Sequence, residues 1–244
     1  MSVKLTPRLL TALPYVCGGR LLADIGTDHA YLPIHLCEAG ILTPVTVKNG
    51  ERLSAIAADI NKGPVERARL HVAAAGLSDR IRTVQTDGLH GLEVYDPEDI
   101  VIFGMGGELI ASILDAAPWA RTRGKRLILQ PMTHADRLRA YLREAGLTVT
   151  GEALSREGER IYQTLCAERT VGEAPAPMTA AELAVGKAAL HRQDADQKEL
   201  YRELIRRTLR TERAARDARR RAGQATEAAD SLIAELEALL ATIA

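Results

Sequence analysis

Asp28, His29 and Tyr31 bring a carboxylate, an imidazole and a phenol together within four positions of the chain. Directly before them, Leu21, Leu22, Ala23 and Ile25 form a short apolar run that contains Asp24 and closes on Gly26. Such a run fits a strand buried on both faces of a parallel sheet, and from Ala30 the pattern turns helical. Strand, tight turn and helix make the unit that opens a nucleotide-binding α/β domain. The glycine admits a ligand close to the backbone, and the helix amino terminus points unpaired N–H groups at it. At that edge Asp28, His29 and Tyr31 read as groups facing a substrate. The alternative for a histidine at a helix start is a purely structural one.

The turn lacks the second and third glycines of G-x-G-x-x-G, with Asp28 where the second would stand. A dinucleotide pyrophosphate needs the close approach those glycines permit, so an oxidoreductase is disfavoured. S-Adenosyl-L-methionine carries no phosphate and fits a less glycine-rich turn, with Asp24, Gly26 and Thr27 in contact with it. Asp59 would accept the ribose hydroxyls, or else cap the next helix. Asp87 would accept an adenine amino group with Gly88 beside the ring, or else form an Asx turn. Gly104, Met105, Gly106 and Gly107 follow another strand, where such folds bind ligands, and leave backbone exposed to one. Their alternative is a tight strand-to-helix turn. Gln130 and Pro131 offer a side-chain amide to a base edge, or simply end a strand.

The elements that must position these groups are legible in order. Thr6 and Pro7 look like an N-cap and first helical residue, with Arg8 in the first turn and Leu9, Leu10, Leu13 and Val16 at helical spacing. Strands are expected at Leu21–Ile25, Ser54–Ala58, Ile81–Val84, Asp99–Phe103 and Arg126–Leu129, alternating with helices. Ile41–Leu53 is expected as a long connection, the alternative being a second strand at Val45–Val47. Leu147–Leu154 and Arg160–Ala167 look like a closing antiparallel hairpin. The result is a doubly wound, mostly parallel sheet with one reversed strand, in a domain over residues 1–170. The Pro/Ala segment Val171–Met178 links it to a helical unit over 179–244. There Leu183, Leu190, Leu200, Leu204 and Leu209, then Leu232 to Ile243, give the apolar seams of an antiparallel coiled-coil hairpin.

Composition bounds the rest. The chain has 244 residues, zero formal charge, 46% apolar residues and only 3% aromatics, so aliphatic side chains must fill the core. Zero net charge argues against a uniformly basic coat but not against a local patch. Tyr201–Ala222 is such a patch, with nine arginines against three acids. Arginine in this excess suits phosphate contacts, with Arg206, Arg210 and Arg213 as candidates; a solvated face or an oligomer contact is the rival. Cys17, Cys37 and Cys166 lie far apart with no CxxC spacing, so neither a zinc site nor a disulfide framework is indicated. With no long apolar run or signal peptide, no membrane partner is expected, and the chain reads as cytoplasmic and monomeric.

Asp24–Pro33 (DIGTDHAYLP), Ile60–Pro64 (INKGP), Asp87–Leu89 (DGL), Gly104–Ile110 (GMGGELI) and Arg126–Pro131 (RLILQP) together resemble the TrmK family, the bacterial tRNA (adenine(22)-N1)-methyltransferases. The resemblance covers most of Leu5 to Ala167, and the helical hairpin also resembles the coiled-coil domain of that family. It implies a class I (Rossmann-like) methyltransferase fold, S-adenosyl-L-methionine as methyl donor and tRNA as partner, with no metal. Adenine N1 has an in-plane lone pair and needs no strong base, so positioning and desolvation would dominate catalysis. The methylated base is born cationic. Asp28 would stabilise that charge, while His29 or Tyr31 would stack on or hydrogen-bond to a base turned out of its helix. The competing readings are another methyltransferase, against which the absence of an N-P-P-Y sequence weighs for amino-group methylases, and a non-catalytic RNA-binding protein that keeps the fold.

Overall fold

A computed structural model describes residues 3–172, 174–187 and 194–243. The chain opens with one helical turn, α1 (Pro7–Leu10), held off a longer helix by a 3-10 turn at Leu13–Tyr15. Thr6 sits at the N-cap with extended backbone, but its hydroxyl caps nothing. Leu13 and Val16 therefore lie outside the helix, because Pro14 cannot supply the N–H that would continue it.

Next come β1 (Leu22–Ile25) and α2 (Tyr31–Glu38). The awkward stretch after α2 makes its own two-stranded antiparallel ribbon, β2 (Val45–Thr46) with β3 (Arg52–Leu53), turned at Asn49-Gly50. The core strand that follows is β4 (Ala55–Asp59), so the register expected at Ser54–Ala58 holds and Val45–Val47 stays out of the main sheet. Then follow α3 (Lys62–Ala74), β5 (Ile81–Gln85), β6 (Asp99–Met105), α4 (Gly107–Asp115), β7 (Arg126–Pro131) and α5 (Ala135–Glu144). The hairpin β8 (Thr148–Glu157) and β9 (Arg160–Glu168) completes a seven-stranded sheet of order β5-β4-β1-β6-β7-β9-β8. The first five of these are parallel, and β9 lies antiparallel to β7.

Period-two alternation splits the sheet into two cores, as expected for strands covered on both faces. Ala23, Ile25, Ile56, Ile100, Ile102 and Leu127 pack under α4 and α5, while Leu22, Ala55, Ala57, Val101 and Ile128 pack under α2 and α3. A third apolar cluster joins Leu154 of β8 to the C-terminal helices α6 (Ala180–Val185), α7 (Ala195–Arg221) and α8 (Glu227–Thr242). α7 and α8 are antiparallel, since Arg202 reaches Ile243 near one end and Arg216 reaches Asp230 near the other. Leu183 sits on the separate helix α6, which stops at Gly186; Leu190 lies outside the described residues. The buried seam of α7 is Tyr201, Ile205 and Leu209, with Leu200 and Leu204 only partly covered.

At the joint, Arg139 and Glu152 form an ion pair only 1% and 7% exposed. Its spare groups are satisfied by the C-terminal part of the chain. Arg139 donates to the Leu183 carbonyl at 2.9 Å, and Glu152 accepts the Lys187 N–H at 2.6 Å. Gln197 clasps both the N–H and the carbonyl of Leu154, each at 2.8 Å. No helix among the described residues is long and apolar enough to cross a membrane.

Candidate active site

Five parallel strands end along one edge of the sheet, and the candidate residues stand at those ends in spatial order. Asp87 follows β5, Asp59 ends β4, Asp24 and Gly26 end β1, and Gly104 to Gly106 end β6. Four adjacent strands at about 4.8 Å spacing span roughly 14 Å, the reach of an extended nucleoside with an amino-acid tail.

Between α1, the β1 turn and α2 lies a cavity of about 310 Å³ lined by Arg8, Asp24, Thr27, Asp28, His29 and Tyr31 among others. Asp24 is 7% exposed, and burial pushes its carboxyl up to about 6 from an ordinary 3.8, against the opposing pull of the Thr27 hydroxyl and the Arg8 charge. Because the folded value lies above the unfolded one, this group stabilises the fold in acid and loses that contribution as pH rises through about 6. Asp24→Asn, uncharged throughout, should therefore melt higher than the unsubstituted protein at pH 8, by about 2 °C or more, and lose that advantage at pH 4. Calorimetric scans across that range check it; an advantage independent of pH would place the cost elsewhere.

Gly26 adopts a φ of 77°, and an added Cβ would stand 2.3 Å from the Met105 methyl, so the turn and the β6 end pack directly together. The N–H groups of Gly26 and Thr27 in the turn itself are turned inward. Both donate to the Ala58 carbonyl, at 2.8 and 3.1 Å, because β4 runs beside the turn. The Thr27 hydroxyl accepts the Ala30 N–H at 3.1 Å and fixes the entry to α2.

The glycines after β6 are similarly engaged. The Gly104 N–H donates to Gln130 Oε1 at 3.2 Å and the Gly107 N–H to the Thr133 carbonyl at 2.8 Å. A Cβ on Gly107 would meet the His134 carbonyl oxygen at 2.3 Å, so close packing of two loops explains that glycine. Gln130 and Pro131 are buried, Gln130 completely. The amide expected to read a base edge is committed inside the protein: Oε1 also accepts from Arg8 at 3.1 Å, and Nε2 donates to the Pro131 carbonyl at 2.9 Å. Gln130 thus holds Arg8, whose guanidinium also lies 5.7 Å from the Tyr162 ring centre and whose N–H donates to Glu157.

Asp28 is half exposed and is not free. It accepts from Arg67 Nε at 2.7 Å and from a second nitrogen of the same guanidinium, and lies 3.2 Å from His29 Nε2. His29, Tyr31 and His71 form a ring cluster with centroids 4.8 to 5.3 Å apart. Arg67 and His71, four apart on α3, escaped the sequence reading because nothing local links them to residues about 40 positions earlier. Asp59 accepts the Asn61 N–H at 2.7 Å, a local turn ahead of α3 rather than the cap also considered, since Asn61 is the N-cap and no side chain caps that helix. Asp87 and Gly88 line a separate cavity of about 530 Å³ with Leu109, Ile113 and Trp119.

Arg206, Arg210 and Arg213 come together on the helical arm, around a shallow cavity of about 460 Å³ with Leu209 and Leu240. Much of the arginine run is paired. Arg202 and Arg206 meet Glu199, Arg207 meets Glu203, Arg213 meets Glu237, and Arg216 and Arg220 meet Asp230.

A family model, TrmK, described as tRNA (adenine(22)-N(1))-methyltransferase, matches residues 22–237. The chain belongs to the TrmK family. It is 38% identical over 167 residues to the tRNA (adenine(22)-N(1))-methyltransferase of Bacillus subtilis strain 168, an alignment spanning 68% of this chain and 66% of that relative. Solved structures of family size match along nearly their whole length. The B. subtilis M1A22 tRNA methyltransferase TrmK superposes with a TM-score of 0.75 at 30% identity, over 99% of this chain and 97% of that one. The Streptococcus pneumoniae protein Sp1610, solved in complex with S-adenosyl-L-methionine, gives a TM-score of 0.79 at 27% identity, over 97% of this chain and 100% of that one. The class I methyltransferase fold that the family resemblance implied is the fold observed.

Proposed function

We propose that this TrmK family member transfers a methyl group from S-adenosyl-L-methionine to N1 of the adenosine at position 22 of tRNA. The observation that carries the reading is the buried, electrostatically strained Asp24 facing a cavity shared with Arg8, Asp28, His29 and Tyr31. A carboxylate held in that condition favours a cationic guest, and the fixed Arg8 guanidinium favours a carboxylate beside it; an amino-acid end that is both ammonium and carboxylate suits the pair. To Asp59 and Asp87, at the next two strand ends, we assign the ribose and the adenine of the donor.

The bound donor supplies an electrophilic methyl on a sulfonium. Adenine N1 would attack that methyl with its in-plane lone pair while the carbon–sulfur bond breaks and the sulfur leaves as a neutral thioether, so the protein need not remove a proton first. Its task is to hold the base in line and exclude water. Asp28 lies where the purine becomes positively charged and stabilises it, while His29 and Tyr31 present ring faces and edges to it. Residues 1–170 carry this chemistry, and the arm over 179–244 grips the RNA. One copy contains every group invoked, so a monomer suffices, and a tRNA substrate places the reaction in the cytoplasm.

Incubating an unmodified tRNA transcript with the protein and the donor, then analysing nucleosides, tests the reading. One 1-methyladenosine per transcript, lost when adenosine 22 is replaced, is expected; methylation elsewhere or none defeats it. On the arm, replacing Arg206, Arg210 and Arg213 together by Gln should weaken tRNA binding and lower its salt slope by about 2, since each lost phosphate contact removes about 0.7–0.9. Filter binding between low and moderate salt reads this out, and an unchanged slope would assign the arginines to packing.

A further inference from the structure

We propose that Arg67 and His71 hold the nucleotide adjacent to the reacting adenosine, with its base on the ring cluster and its phosphate on Arg67. This rests on the tRNA reading above and extends it to a second nucleotide.

The rings of His29, Tyr31 and His71 are mutually 4.8, 5.0 and 5.3 Å apart, with planes within 28° of parallel. Three nearly parallel rings at equal separations cannot be a linear pile, whose ends would be twice as far apart. They form a compact triangular plate in which each pair is stacked with an offset. His29 and Tyr31 line the cavity and His71 does not, so the plate runs from the cavity mouth outward onto α3. It stays accessible, the His29 side chain at 35% and Tyr31 at 37% exposure. His71 is fixed from behind by its Nδ1, 3.3 Å from the His29 carbonyl. His29 Nδ1, in contrast, is buried with no hydrogen-bond partner. A flat aromatic surface beside a pocket for an unstacked base suits a second base, because every base has a π-face to offer.

Arg67 stands one helical turn before His71 on the same face of α3, and its side chain is 48% exposed. Its partner, Asp28, is half exposed too, so water screens the pair and it holds weakly. A phosphate oxygen offers the guanidinium an equally good fork-shaped partner and releases counterions besides. Exchange of Asp28 for phosphate is therefore cheap. It would also leave the Asp28 carboxylate without its arginine when the purine beside it turns cationic. Arrival of the correct strand thus raises the negative potential where it is needed.

Anisotropy of a labelled, unmodified tRNA transcript carrying adenosine 22, measured without donor at several KCl concentrations, tests this. Arg67→Gln should lower the slope of log affinity on log salt by about 0.7–0.9. His71→Ala should weaken binding about tenfold with the slope unchanged, and His71→Phe should restore it, since stacking accepts any aromatic ring. Donor affinity, measured by calorimetry, should be the same in all three variants. An unchanged slope in Arg67→Gln, or His71→Phe as weak as His71→Ala, overturns the proposal. Failure of the unsubstituted protein to take up S-adenosyl-L-methionine would instead defeat the methyltransfer reading and leave the RNA measurement readable.

Discussion

Asp28→Ala should lower the rate of the proposed methyl transfer to tRNA about a hundredfold and leave the dissociation constant of S-adenosyl-L-methionine within about twofold. The split follows from position. Asp28 lies beyond the Gly26 turn, on the side where Tyr31 and His29 open to the outside, whereas Asp24 is buried behind it. Removing a carboxylate next to a purine that gains a full positive charge raises the transition state more than any ground state. The figure sits at the low end of the range for preorganised electrostatic groups because the Asp28 side chain is 50% exposed and water screens it. Single-turnover methylation alongside calorimetry of the donor measures both quantities. Equal losses in rate and donor affinity would move Asp28 from the reacting base to the donor.

Glu152→Ala should destabilise the protein by about 3–5 kcal/mol, the cost of stranding a buried charge. Arg139 would keep Gln163 Oε1 and the Leu183 carbonyl as acceptors but lose its only carboxylate among the described residues, at a site 1% exposed. The Lys187 N–H would lose its acceptor in the same stroke. Urea unfolding of the intact chain measures the loss. The double replacement Arg139→Met with Glu152→Leu should recover most of it, because two apolar groups of similar size leave no charge without a partner. A single-variant loss below about 1 kcal/mol would mean that water reaches the pair.

Much of the sheet was legible because a central parallel strand has a local signature: Leu22, Ala23 and Ile25 around Asp24, ended by a glycine, can hardly be anything else. The β2–β3 ribbon was not, since strands of two residues carry too little pattern to separate from a loop. Asp24, Asp28, His29 and Tyr31 were found together because they are adjacent in sequence. Arg67 and His71 join them only through the sheet, which lays α3 against α2. Gln130 was misjudged for the same reason: nothing next to it in sequence reveals that Arg8 and Gly104 claim its oxygen. On the arm, leucine spacing suggested Leu200 and Leu204 as the seam. The helix turns Tyr201 and Ile205 inward instead, one position along, to meet Leu154 and the second helix. The Thr179–Glu182 capping box that starts α6 has a local signature in the sequence, T-A-A-E.

The clasp of Gln197 on both backbone groups of Leu154 has a geometric consequence. A helix tied to a strand's main chain cannot swing freely, so the separation between the exposed guanidinium groups near Arg210 and the pocket at Asp24 is set once, during folding. If the arm grips RNA as proposed above, that fixed separation gauges the substrate like a caliper. An RNA lengthened by a base pair between the gripped stem and the target adenosine would be held firmly with the wrong atom presented.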